Sequence, residues 1–156
     1  MLYEKGKKIY SFGEKINYYN SIINNKKSTY SEKVYAKKRI NDLSSKFSNF
    51  QLGDVVIVDD KEFGNKSSKP RCAVIVENNS INDFTLIAAR KTGKFMKLEN
   101  FDGDRLLNMD KSKLVQKTNF YELADFSIGT NAFLNINEKT ILQQKYMKSK
   151  MKNTNK

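Results

Sequence analysis

The side chains of this chain best suited to chemistry are cationic, and they stand at the ends of apolar runs. Lys69 and Arg71 flank Pro70 just before Cys-Ala-Val-Ile-Val (72–76), and Arg90 and Lys91 follow Phe-Thr-Leu-Ile-Ala-Ala (84–89). A guanidinium keeps its charge, and its fork matches two phosphate oxygens. Arg71 and Arg90 are therefore candidates for holding a phosphate, since stabilising developing charge is often the largest catalytic contribution. Lys69 or Lys91 can move a proton only where burial or nearby charge lowers its pKa from about 10.4. The chain has no histidine. Ser-His-Asp and Cys-His arrangements and imidazole zinc ligands are thereby excluded. Acid–base work must come from Asp, Glu, Lys, Tyr or a positioned water. The one cysteine, Cys72, rules out an internal disulfide, fits a reducing cytoplasm and reads as a small buried hydrophobe. No metal and no cofactor are expected.

The elements that must position these residues are short strands. Leu52 to Thr92 holds three apolar runs of four to eight residues, rich in β-branched side chains and bounded by Gly, Pro, Asn, Asp or Ser. This pattern predicts strands over 55–58, 71–76 and 84–89. Pro70 belongs at a strand entry because it cannot donate to a ladder. The polar stretch 59–68 is a loop of the length that often serves function. Further strands are predicted over 95–98, 106–109 and 112–118, the last alternating Leu114, Gln116 and Thr118 with Val115 and Lys117. The fold class is α+β, mainly β, with a small antiparallel sheet whose basic residues line one rim.

Helices flank the sheet. A short one is predicted from Glu14 to about Asn24, with Gly6 and Gly13 as breaks. Thr29-Tyr30-Ser31-Glu32 forms a capping box for a second, and Ala36, Ile40, Leu43 and Phe47 make its apolar stripe. Lys33, Lys37, Lys38 and Lys46 lie mostly off that stripe. Asn137 is the predicted cap of a C-terminal helix with Ile141, Leu142 and Tyr146 on one face, fading into a disordered lysine-rich tail. The expected division is a basic helical extension (1–50), a central domain (51–148) and a basic tail (149–156).

The net charge is +12 over 156 residues. Residues 1–50 carry eleven Lys and Arg against four acids, residues 51–136 twelve against twelve, and residues 137–156 six against one. A neutral centre between two basic arms is the pattern of a domain that meets a polyanion, although a solvated lysine-rich surface has the same composition. The Tyr-rich N-terminal stretch (Tyr3, Tyr10, Tyr18, Tyr19, Tyr30, Tyr35) can stack bases or pack the extension against the sheet. No apolar stretch approaches the roughly 20 residues of a membrane span, and the basic N-terminus lacks the apolar core of a secretory signal.

Gly-Asp-Val-Val-Ile-Val (53–58), a Gly- and Ser-containing loop, a basic residue with Pro70, and Ala-Val-Ile-Val (73–76) resemble the opening of PemK/MazF-family toxins. The likeness runs over roughly 50–148, through a strand ending in Thr92, a strand near Lys113–Asn119 and a C-terminal helix. The family commonly has Arg before the proline, where this chain has Lys69, with Arg71 following. The resemblance implies a strongly curved sheet or SH3-like barrel with a C-terminal helix. It implies a dimeric, metal-independent, sequence-specific endoribonuclease cutting single-stranded mRNA, held inactive by a cognate antitoxin, and cytoplasmic. Thr92 then takes the place of the family's strand-end threonine, beside Arg71, Lys69 and Arg90 as catalytic residues. Lys66, Lys91, Lys94, Gln116, Lys117 and Thr118 become RNA contacts. Other readings are a non-enzymatic nucleic-acid-binding regulator on an SH3-like barrel, or a gyrase-targeting toxin of the same fold.

Overall fold

A computed structural model describes residues 1–92, 95–99, 101 and 106–154, with backbone alone at 109–111 and 152–154. The chain is α+β. A hairpin of β1 (Leu2–Glu4) and β2 (Lys7–Ile9) precedes two helices, α1 (Phe12–Asn24) and α2 (Tyr30–Ser48). The sheet follows as β3 (Val55–Asp59), β4 (Pro70–Asn78), β5 (Asp83–Arg90), β6 (Met96–Lys97) and β7 (Leu106–Gln116), and α3 (Ile136–Thr154) comes last. The sheet order is β3-β4-β5-β7-β6, every pair antiparallel. Pro70 opens β4, as its missing N–H requires.

Register shifts between Ile75 and Glu77 and between Ile87 and Ala89 bend the two central strands. Among the described residues the sheet does not close into a barrel. Its β3 edge meets the chain beyond β7 at a single bridge, where the Tyr121 N–H donates to the Ile57 carbonyl at 2.7 Å.

Both faces of the sheet are covered, which is why β3 and β4 read as unbroken apolar runs rather than alternating ones. Val56, Val58, Ala73, Ile75, Leu86 and Ala88 share a core with Phe12 of α1 and Leu43 of α2. Val55, Ile57, Val74 and Ile87 share the opposite core with Leu142 and Tyr146 of α3. Leu2 lies in that second core, so residues 1–50 touch both sides of the sheet.

Several local expectations need correction. The first ten residues form a hairpin whose turn is Lys5-Gly6, both at positive φ; sequence periodicity over three-residue strands is too short to signal it. Helix α1 starts at Phe12, capped by Ser11 in a capping box with Glu14. Gly13 therefore sits inside the helix instead of breaking it. A Cβ there would stand 3.0 Å from that of Thr118, so the glycine permits close packing.

The strands expected over 106–109 and 112–118 are one strand, and Lys117–Asn119 leaves it as a 3₁₀ turn. The predicted 95–98 strand shrinks to Met96–Lys97. Asn135, not Asn137, caps α3, in a reciprocal pair with Glu138. Ile141 is exposed while Leu142 and Tyr146 are buried. Helix α3 continues through Thr154 where a disordered tail was expected, and Lys150 in that stretch holds Glu77 at 2.6 Å.

Candidate nucleic-acid interface

Pro70 opens β4 and Arg90 closes the antiparallel β5. Lys69, Arg71, Arg90, Lys91 and Thr92 therefore leave the sheet at one rim. The end of β3 and the loop 60–69 join them there, since Asp59 pairs with Pro70 and the Asp60 N–H donates to the Lys69 carbonyl at 2.8 Å. The basic rim expected from the sequence is present.

Its two arginines are engaged, however. Arg71 donates from Nε and Nη2 to the two carboxylate oxygens of Asp60 at 3.2 and 3.3 Å, and from Nη1 to the Ala89 carbonyl at 3.2 Å. Arg90 donates from Nη2 to Asp60 Oδ1 at 3.1 Å and lies over the Phe63 ring. Side-chain exposure is 3% for Asp60, 8% for Arg71 and 16% for Arg90. The carboxylate feels opposing forces. Burial pushes its pKa up, but the Arg71 hydrogen bond and the charges of both arginines outweigh that and hold it below the ordinary aspartate value.

Among the described residues, Arg71 and Arg90 share the one carboxylate of Asp60. The Arg90 Nε–H in this cluster is buried without a hydrogen-bond partner among the described residues, which leaves one guanidinium donor unspent among them. Arg71 and Arg90, the residues expected to hold a phosphate, are thus both bound to Asp60 beneath the rim. Lys69, Lys91, Thr92 and, in the adjoining loop, Lys66 are exposed. Lys94 lies outside the described residues.

The second predicted group does not join this rim. Gln116 pairs with Asp83 at the start of β5, and about seven residue steps of strand separate that point from Arg90, roughly 23 Å. Gln116 and Thr118 are exposed there. Lys117 is only 7% exposed, donates to the Phe47 carbonyl at 3.3 Å and lies 4.1 Å from the Phe47 ring centroid. It fastens α2 to the sheet and does not face solvent. The expected alternation on one strand face ends at Gln116, because Thr118 lies in the 3₁₀ turn, and only the ladder register shows which end of the sheet Gln116 occupies.

Asp60 was the residue that sequence reasoning missed. Its signal was the acid doublet Asp59-Asp60 closing an apolar strand, because two arginines at neighbouring strand ends need a counter-charge. Glu62, in the same 3₁₀ turn (Asp60–Phe63), has its pKa raised by burial and then by the charge of Asp59, against the hydrogen bond from Asn119. The Tyr121 hydroxyl is pushed up to about 12 by burial and by Glu14, Asp59 and Glu62, so it keeps its proton at neutral pH. A cavity of about 490 Å³ lies away from the rim, between α2, β3 and residues 121–124, with Phe12, Phe50, Val55 and Leu123 in its walls.

No group of three or more His, Cys, Asp and Glu suited to a metal ion occurs among the described residues. None of their helices is long and apolar enough to cross a membrane. Compared with models of known protein families, with curated protein sequences and with solved structures, the chain gives no match.

Proposed function

We propose that this protein is an RNA-directed toxin of the PemK/MazF type, a sequence-specific endoribonuclease acting on single-stranded mRNA. The observation that supports the reading is the single rim on which Lys69, Lys91 and Thr92 stand exposed above the buried Arg71–Asp60–Arg90 cluster. In the reaction the 2′-oxygen attacks the neighbouring phosphorus as its proton departs. The bond to the 5′-oxygen breaks and that oxygen takes up a proton, leaving a 2′,3′-cyclic phosphate and a 5′-hydroxyl. This chemistry needs no metal. Lys69 and Thr92 take the phosphate oxygens, and Arg71 with Arg90 supply fixed positive charge behind them. The finer features belong to the same proposal: an SH3-like barrel, a homodimer, and an antitoxin whose acidic segment competes for the rim.

The test is incubation of the purified protein with a long single-stranded RNA in EDTA, followed by mapping of the new 5′ ends. Discrete cuts in one short sequence, ending in 5′-hydroxyls and lost in Lys69→Ala and Thr92→Ala proteins that remain folded, are expected. RNA left intact by a protein that binds it overturns the enzymatic reading. That outcome selects the second one, a non-enzymatic nucleic-acid-binding module, which the engagement of both arginines by Asp60 favours.

A further inference from the structure

The N-terminal helical hairpin bears aromatic rings on its outside. Tyr18 is 60% and Tyr35 58% exposed, although such rings ordinarily gain by burial. They are the two ends of a ladder that crosses from α1 to α2. Tyr18 meets Tyr19 edge-to-face at 5.2 Å between centroids, and Tyr19 meets Tyr35 edge-to-face at 6.3 Å. Tyr19 itself packs against the core beneath the hairpin, which anchors the ladder. Arg39 lies over the Tyr19 ring at 5.8 Å and donates to its hydroxyl at 3.5 Å.

Basic residues outnumber acids around this ladder. Of the four acids in residues 1–50, Glu14 and Glu32 are used in the capping boxes of α1 and α2, Glu4 accepts from Ser127, and Asp42 lies 3.9 Å from Arg39. Lys26, Lys27, Lys37 and Lys38 are exposed and form no ion pair among the described residues. Lys38 follows Tyr35 by three positions, on the adjacent part of the helix surface. Exposed rings held on a rigid base among unpaired cations are what a single-stranded nucleic acid requires. Its bases stack on the rings without regard to sequence, and its phosphates meet the lysines.

We infer that the Tyr18–Tyr19–Tyr35 ladder with Lys38 and Arg39 is a second, sequence-independent docking surface for single-stranded RNA, separate from the rim. It rests on RNA being the ligand, as in the function proposed above. It adds that the extension, and not only the sheet, carries the strand.

The experiment measures affinity for a 2′-O-methyl oligoribonucleotide, which offers no 2′-hydroxyl to attack, so binding is read apart from cleavage. Tyr18→Ala with Tyr35→Ala is expected to weaken binding roughly tenfold or more, since each stacked base contributes about 1–3 kcal/mol. Tyr18→Phe with Tyr35→Phe keeps the rings and is expected to bind like wild type. Lys38→Ala is expected to lower the salt dependence by about one phosphate contact. A measurement without variants guards against misfolding: photocrosslinking of a 5-iodouridine oligonucleotide to the wild-type chain should map to Tyr18 or Tyr35. Unchanged affinity in a folded Ala variant, or crosslinks confined to the rim, overturns the docking surface while leaving the rim's function standing. No binding of single-stranded RNA by the wild type overturns both.

Discussion

At the scale of single residues, the decisive arrangement is Asp60 between two arginines. A buried carboxylate is tolerated because its partners are charged and well aimed, and removing one partner leaves the other's charge exposed to a poor dielectric. Arg71→Ala is therefore expected to cost about 3–5 kcal/mol, lowering Tm by roughly 6–20 °C in a chain of this size. Lys69→Ala, at an exposed position, should stay within about 0.5 kcal/mol. Parallel thermal melts check the pair. Equal stability of the two variants would show that Asp60 does not depend on Arg71. Under the proposed function, loss of RNA cleavage in Arg71→Ala would thus be no proof of a catalytic role, and Lys69→Ala and Thr92→Ala are the variants that test chemistry apart from folding.

The same cluster sets an acid limb. Asp60 is held below its unfolded pKa, so the unfolded chain binds its proton first as pH falls. The stabilisation is complete above about pH 4, near the unfolded aspartate value, and is lost as pH drops through the lower folded value. Glu62 is raised and acts with the opposite sign. The folded protein keeps that proton longer, so its ionisation removes stability as pH rises above about 4.3, the unfolded glutamate value. Glu62→Gln is expected to raise Tm at pH 7 and to leave it unchanged near pH 3. A Tm that falls at pH 7 would mean that the charge itself is needed.

At the scale of elements, helices α2 and α3 are secured in different ways. Leu43 is 1% exposed beneath α2, in the core it shares with Phe12, Ile75 and Phe120. Leu43→Ala is expected to cost about 2–5 kcal/mol through lost transfer energy and the cavity left behind. Helix α3 buries Leu142 and Tyr146 and has a capped start, where Asn135 and Glu138 satisfy each other's backbone N–H groups, and Glu138 also accepts from the Glu99 N–H at 3.0 Å. Asn135→Ala should cost about 1 kcal/mol, whereas Asn137→Ala should cost little. Urea midpoints of the two asparagine variants decide which residue is the cap.

Gly53 and Gly129 punctuate the chain for different reasons. Gly53 adopts φ +86° just before β3. Gly129 has no room for a Cβ, which would stand 2.4 Å from the Leu123 carbonyl oxygen. Gly129→Ala must therefore move backbone, while the strain at Gly53 is conformational.

At the scale of the whole molecule, the basic arms are fastened to the neutral centre. Lys15 of α1 reaches Glu122 and Asp125 at 2.7 Å each, Lys46 of α2 reaches Glu122 at 3.0 Å, and the Met1 amine reaches Asp59 at 3.2 Å. With Leu2 in one core and Phe12 and Leu43 in the other, a chain beginning at residue 51 is expected to aggregate rather than fold, as gel filtration would show. If RNA is the ligand, as proposed, the large net charge is expected to make its affinity fall steeply with salt. A log–log slope of about −0.7 per phosphate contact applies to single strands, and a flat salt response would remove the electrostatic premise.

The three central strands, the Thr29–Glu32 box, the proline-led entry of β4 and the charge partition were legible in the sequence, because each depends on local periodicity, local sterics or simple composition. The Thr29 box occurs as read, with Glu32 accepting from the Thr29 N–H at 2.8 Å. What only the tertiary structure decided was partnership. Nothing near Arg71 in sequence says that Asp60 will face it, or that Arg90 will share that carboxylate, since those contacts join different strands. Nor does alternation along 112–118 reveal that Gln116 lies opposite Asp83, far from Arg90. The period of a strand tells which side chains share a face. Register and burial, set by the packing of the whole chain, tell which end of that face they occupy and which charges remain in water.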